Sequence, residues 1–424
     1  MSGNRRIIES QVLGGCAFVL SQAVLPRVIP PTLDTPTEGS PVYRLILAAS
    51  YLCAALSLVS YFRETLFALR RNWFLVALVS LALVSCLWAE MPGLVLQRSI
   101  AACGTTLFGI ALALRLSVED QLRLISWVLR ITAILSLASV IFFPSFGISN
   151  GVGEQGVWRG VFGYKNGLGS MMALSVLVEW HLPTDTFFSK VVNRLALLIS
   201  AVLLVFSSSV TPLVALVGAL LLIEVYKLGT QRLRIPLYAI VLSTLLILAS
   251  SATMLLVAGD RVTGALGRSS DLTGRTEIWS MTMPYIPERP VLGYGYWGFW
   301  NGASSESQAV ERATGSPIMY SHNGYLEMLL NLGVVGLFLT MVFLGAGMKR
   351  TYFWAERDRS TAAHWPLAFL FYFLLRNIGE CSILIQGLEW ALCVATVVGT
   401  DPALLAPEAE QEEELIFAAV DETI

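Results

Sequence analysis

Apolar runs alternate with short polar stretches along almost the whole chain. Runs long enough for a helix to cross roughly 30 Å of hydrocarbon fall at 12–31, 43–61, 73–89, 99–116, 122–143, 164–180, 193–209, 211–227, 236–257, 324–347, 366–381 and 384–400. The pattern predicts an all-α, polytopic integral membrane protein with twelve transmembrane helices over residues 1–400. The closely spaced pairs at 193–227 and 366–400 read as tight helical hairpins. They are broken by Ser207, Ser208, Ser209, Thr211 and Pro212, and by the stretch from Gly379 to Gln386. One long polar loop, 258–321, separates spans nine and ten, and an acidic tail follows at 401–424.

Composition agrees with this pattern. Hydrophobic residues make up 55% and charged residues 14%, with a mean hydropathy of +0.67, which excludes an ordinary soluble domain. The net charge of −2 gives no reason to expect a nucleic-acid partner. The six cysteines lie in or beside apolar runs without metal-type spacing, so they read as small core residues. At the start, Arg5 and Arg6 precede an apolar run, but Glu9, Ser10 and Gln11 interrupt it before Cys16, and the run then continues. An uncleaved first span is expected.

Charge sets the orientation. With a cytoplasmic N-terminus, most of the 28 basic residues fall on inner segments, among them Arg63, Arg70, Arg71, Arg115, Arg123, Lys190, Arg194, Lys227, Arg232, Arg234, Lys349, Arg350, Arg357 and Arg359. The short outer loops hold only Arg27, Arg98, Arg159 and Lys165, as the positive-inside rule requires. The loop 258–321 then faces outward and both termini face inward. The tail carries Glu408, Glu410, Glu412, Glu413, Glu414, Asp421 and Glu422 and reads as a disordered end.

Against this topology, outer cations need a reason other than insertion, and anion binding supplies one. Arg159 and Lys165 stand among glycines before span six, where Gly lets the backbone approach a ligand and Arg and Lys bond phosphate oxygens. Headgroup snorkelling is the competing reading. Arg275 opens a short amphipathic helix in the long loop, and Arg289 follows in Pro287-Glu288-Arg289-Pro290. Beyond it stand Tyr294, Tyr296, Trp297, Phe299 and Trp300, rings that suit sugar faces but also collect at any membrane interface. Sugar contacts are expected from Tyr294, Trp297 and Trp300, joined by Asn166 and Asn323.

His322 is one of three histidines and sits at the boundary between the long loop and span ten. A neutral imidazole there can accept a proton, while a helix-capping role is the alternative. His181 and His364 fall in inner loops among surface residues. Arg376 and Glu380 are spaced i,i+4 and predict an ion pair on one helix, with Glu380 also a candidate for catalysis. Glu179, Glu224, Glu327, Asn331 and Glu389 lie near helix ends and are weaker candidates.

In this order, Arg-Gly-Val-Phe-Gly-Tyr-Lys-Asn (159–166), Thr-Gly-Arg-Thr-Glu-Ile-Trp (273–279), Pro-Val-Leu-Gly-Tyr-Gly (290–295), Ser-His-Asn-Gly-Tyr-Leu-Glu (321–327) and Asn-Leu-Gly-Val-Val-Gly-Leu (331–337) resemble the O-antigen ligase and polymerase superfamily. Tyr-Lys-Asn at 164–166 and Asn-x-x-Glu at 377–380 are most similar to bacterial exopolysaccharide polymerases. The resemblance implies glycosyl transfer without a metal or other cofactor, on the periplasmic face of the bacterial inner membrane. The implied donor is an undecaprenyl-diphosphate-linked oligosaccharide. The implied acceptor is a second lipid-linked glycan for a polymerase, or lipid A-core for a ligase, with membrane lipids and a chain-length regulator as further partners.

By position, the resemblance makes His322 the essential histidine, with Arg159 and Arg275 on the diphosphate. Many relatives carry an arginine after the serine run, where this chain has Val210. A transporter of lipid-linked sugars is the main rival, yet the longest loop follows span nine and no internal repeat is visible. A peptidoglycan-type transferase would need an outer carboxylate, for which Asp260 and Asp271 are ambiguous candidates.

Overall fold

The computed structural model describes residues 3–22, 41–151, 154–229, 271–300, 304–314, 318–358 and 360–405. Among them every regular element is helical, apart from one isolated antiparallel bridge between Ile148 and Trp158. The long helices are α1 (Gly3–Leu20), α2 (Pro41–Val59), α3 (Phe62–Arg71), α4 (Trp73–Val84), α5 (Pro92–Arg115), α6 (Val118–Phe142), α7 (Lys165–His181), α8 (Phe187–Phe206) and α9 (Val210–Leu228). The loop helices α10 (Asp271–Thr282) and α11 (Ser305–Thr314) precede α12 (Gly324–Arg357), α13 (Thr361–Arg376) and α14 (Leu388–Gly399). The expected ninth span, the acidic tail beyond residue 405 and much of the polar loop lie outside the described residues.

Helix starts follow local chemistry. Ser117 and Ser360 accept from the backbone N–H groups of Asp120 and Ala363, each at 3.2 Å, and Thr186 forms a capping box with Ser189. The outer layer is apolar where water would not tolerate it. On α2, Val42, Leu45, Leu52, Leu56 and Val59 are all exposed, a continuous stripe that fits lipid. The inner helices are buried nearly all round, and a row of rings on α13, Trp365, Phe369 and Phe373, ends against Trp390 of α14.

The twelve expected spans are confirmed only in part. Among the described residues six helices are long and apolar enough to cross a membrane (α2, α5, α6, α8, α9 and α12), or seven if α3 and the α4 segment, bent by 87°, are one span. α13, for one, stops at Arg376 after 16 residues, a rise of about 24 Å against a core of roughly 30 Å. The two expected hairpins are also corrected. The turn at Ser207–Ser209 is tight, but α8 packs mainly on α7 while α9 packs on α13. Likewise α14 packs mostly on α5, and the connection from α13 runs through an irregular stretch, 377–387. His181 and His364 are not surface residues either. Both are buried, with Nδ1 at 2.8 and 2.7 Å from the Leu177 and Ser360 carbonyls.

Long-range bonds sort by end. At one end Asp401, fully buried, pairs with Arg350 at 2.8 Å and Arg71 at 3.3 Å, and Arg350 donates to Asn72 at 2.6 Å. All of these belong to segments expected on the inner side. At the other end the Tyr296 N–H donates to Ser85 Oγ at 2.8 Å and Arg98 donates to the Trp297 carbonyl at 2.7 Å, joining segments expected outside.

One backbone feature seats the polar loop on the bundle. Inside α12 Gly333 leaves the helix with φ +63° and ψ −162°, a combination essentially open to glycine alone. The break receives the turn at 290–294: Val334 N–H donates to Pro290 O at 2.9 Å, and Tyr294 N–H donates to Leu330 O at 2.8 Å. A Cβ at Gly333 would overlap the Val291 backbone. Gly333→Ala is therefore expected to undock the loop, at a cost on the order of 1–3 kcal/mol from the backbone alone. It should lower the melting point and open the Tyr294–Gly295 bond, buried when the loop is docked, to chymotrypsin. An unchanged melting point with that bond still protected would overturn this role.

Candidate active site

Five segments meet at the end that carries the polar loop, and Glu380 is their common point. It lies in the irregular stretch after α13 and is 3% exposed. Arg275 of α10 donates from Nη2 to Glu380 Oε1 at 2.8 Å. Asn166, in the first turn of α7, donates to the same oxygen at 2.7 Å. On the other oxygen, Oε2, Tyr320 donates its hydroxyl at 3.4 Å and His322 Nδ1 stands at 3.6 Å. Asn166 in turn accepts from Ser209 at 2.9 Å, and Arg275 Nη1 donates to the Thr211 hydroxyl. A charged acid so far from water is tolerated because a cation and several donors surround it.

The histidine is held from several sides. Asn323 provides the N-cap of α12, its Oδ1 accepting from the Tyr325 and Leu326 N–H groups at 3.0 and 3.1 Å, so the cap is the neighbour and not His322. His322 itself adopts φ +52°, a left-handed backbone uncommon for a non-glycine residue. Ser321 N–H donates to buried Glu327 at 2.9 Å, and the Trp279 indole donates to Ser321 O at 2.8 Å. Gly324 N–H donates to the carbonyls of Asn377 and Glu380 at 2.8 and 3.0 Å, and a Cβ there would collide with the Asn377 side chain. The imidazole packs against Tyr320 at 4.1 Å between ring centroids, tilted by 42°. Its Nδ1 is buried without a hydrogen-bond partner among the described residues.

The other expected site residues divide. The side chains of Arg376 and Glu380 do not pair, although the Glu380 N–H still bonds the Arg376 carbonyl at 2.9 Å just past the end of α13. Arg376 instead meets Glu389 of α14 at 2.7 Å, with further bonds to Ser170 and Ser382. Arg159 donates to the Ser145 and Phe146 carbonyls, each at 3.3 Å, and Lys165 lies 3.5 Å from Glu154. Arg289 covers the Tyr294 ring at 4.7 Å. None of these bonds reaches Glu380.

Tyr294 and Trp300 are 4% and 5% exposed and belong to the loop's own core with Phe299, Val310 and Leu330, which removes them as sugar platforms. The Trp300 indole donates to Glu327 at 3.1 Å. Trp297 remains partly exposed. Sequence reasoning missed Tyr320, Ser209, Thr211 and Asn377 as parts of this cluster. The one signal was the serine run before Thr211, the residue whose hydroxyl accepts from Arg275. A cavity of about 530 Å³, lined in part by Tyr61, Arg115, Trp354 and Leu404, shares no residue with the cluster.

Residues 195–341 match the O-antigen ligase family. That segment contains Thr211, Arg275, Tyr320 and His322, while Asn166 and Glu380 lie outside it. The exopolysaccharide production protein ExoQ of Rhizobium meliloti (strain 1021) is 30% identical over 142 residues, 32% of this chain and 32% of that protein. The match thus spans about a third of the relative's length.

Proposed function

We propose, for a chain that belongs to the O-antigen ligase and polymerase superfamily, that it extends undecaprenyl-diphosphate-linked oligosaccharide repeats into a surface or exopolysaccharide on the periplasmic face of the bacterial inner membrane. The observation that carries this reading is Glu380 between Arg275 and His322. An arginine and a histidine brought to one carboxylate supply the two things glycosyl transfer from a diphosphate needs. One is charge stabilisation for the leaving group, the other a base for the acceptor.

In this mechanism the acceptor hydroxyl oxygen forms a bond to the anomeric carbon as the bond from that carbon to the diphosphate oxygen breaks. The electron pair leaves with undecaprenyl diphosphate, and the acceptor proton passes to the imidazole of His322. A single displacement inverts the anomeric configuration. Glu380 faces the Nδ1 side at 3.6 Å, where it orients the ring with Nε2 toward the acceptor and stabilises the imidazolium that forms. Such contacts tighten when substrate closes the site. Thr211 and Glu380 take only part of the Arg275 donor set, which fixes the guanidinium plane and leaves N–H groups for phosphate oxygens.

Chain extension is preferred over ligation to lipid A-core because ExoQ is named for exopolysaccharide production and because of the local similarity at 164–166 and 377–380. The glycan profile of a deletion strain separates the two. Single repeat units on lipid are expected to accumulate; long lipid-linked chains would instead show a ligase. At the site, Arg275→Lys keeps the charge but loses the planar fork, so about a tenfold or larger loss of transfer is expected. Full activity of Arg275→Lys at normal protein level would remove the diphosphate contact.

A further inference from the structure

Resting on the glycosyl-transfer reading, we propose that Trp297 and Tyr320 form a stacking platform for a sugar ring of the acceptor glycan. Four of the rings in segment 294–300 are packed away, with Tyr294, Tyr296, Phe299 and Trp300 each at most 5% exposed. Trp297 alone among them keeps part of its indole open. Its backbone sits at φ +55°, a region that a bulky L residue rarely adopts. Two polar side chains from different helices hold it there. Its N–H donates to Asn331 Oδ1 at 3.0 Å, and its carbonyl accepts from Arg98 Nη1 at 2.7 Å.

Trp297 packs against the edge of the main core, and the left-handed turn with its two anchors holds the rest of the ring at the surface, where its four neighbours are not. The open ring continues toward the reacting end: Trp297 and Tyr320 have centroids 6.2 Å apart, and Tyr320 stands 4.1 Å from the His322 ring. The Arg98 guanidinium closes the far side at 5.9 Å from the indole centroid.

Aromatic faces attract the C–H faces of pyranose rings, and Arg98 adds donors for their hydroxyls. The row of rings begins at the histidine that takes the acceptor's proton, so the sugar it holds belongs to the acceptor. The donor's diphosphate goes to Arg275.

The test uses the full chain in nanodiscs and the lipid-free repeat oligosaccharide released by mild acid from the host's lipid-linked fraction. Affinity is read by titration calorimetry. Trp297→Asn removes the ring, and asparagine suits the left-handed backbone, so the fold is kept. We expect about a tenfold weaker binding for Trp297→Asn at an unchanged melting point, with Trp297→Phe within about threefold of wild type. In transfer assays Trp297→Asn should raise the acceptor KM more than it lowers kcat. Wild-type protein that does not bind the oligosaccharide, or Trp297→Asn that binds it normally, overturns the platform. Normal binding combined with a melting point newly sensitive to lipid headgroups would assign Trp297 to the membrane belt instead. If Trp297→Asn weakens binding while wild type transfers no glycan, the platform stands and the transferase reading fails.

Discussion

His322→Asn is expected to lower glycan transfer by about 10²- to 10⁴-fold, the usual contribution of a general base, with little change in stability. The geometry makes this substitution unusually clean. The α12 cap comes from Asn323, so it survives, and asparagine accepts the left-handed backbone at φ +52°. What is lost is the imidazole that faces Glu380 and packs against Tyr320. The measurement is transfer by purified protein in nanodiscs, from lipid-linked donor to lipid-linked acceptor, with EDTA present. Wild type is expected to turn over under chelation, since the leaving group is stabilised by protein cations in the proposed mechanism. Substantial turnover by His322→Asn, or loss of wild-type turnover in EDTA, would refute that mechanism.

Glu380→Gln should be as damaging to transfer and should also destabilise the fold. The carboxylate compensates Arg275, which is 6% exposed, and removing one partner of a buried pair typically costs about 3–5 kcal/mol. The amide can still accept from Asn166, so local packing is largely retained while the charge that fixes Arg275 and stabilises the imidazolium disappears. We expect a lower melting point together with a loss of kcat of about a hundredfold or more. Glu380→Asp, which keeps the charge but shortens the reach, should recover much of the stability and little of the rate. Wild-type kcat in a correctly folded Glu380→Gln protein would exclude Glu380 from the proton path and leave it as a structural counter-ion to Arg275.

These two residues show what the sequence can single out and what it cannot pair. His322 stands out in the sequence because it lies among polar residues at the start of a long apolar run. Glu380 was singled out, yet with the wrong arginine, because i,i+4 spacing permits a pair without choosing it, and both side chains find other partners in the fold. The aromatic cluster carried the same ambiguity. Its sequence contains five rings, and nothing local says that Tyr294 and Trp300 turn inward while Trp297 turns out.

By itself the sequence determined the membrane class, the helical fold and the approximate place of the helices that the described residues contain. It also assigned Asn166, Arg275, His322 and Glu380 to segments of one side, and these do meet at one end of the bundle. Those features follow from local quantities, the length of an apolar run and the charge of its flanks, which decide whether a helix enters a bilayer. Only the tertiary structure decided that Glu380 takes Arg275 and Arg376 takes Glu389, that Gly333 breaks α12 to receive the loop, and that some spans stop short. Such choices rest on contacts between residues as far apart in sequence as Asn166 and Glu380, 214 positions. The free energy there depends on which groups are desolvated together, and neither periodicity nor composition along the chain carries that information.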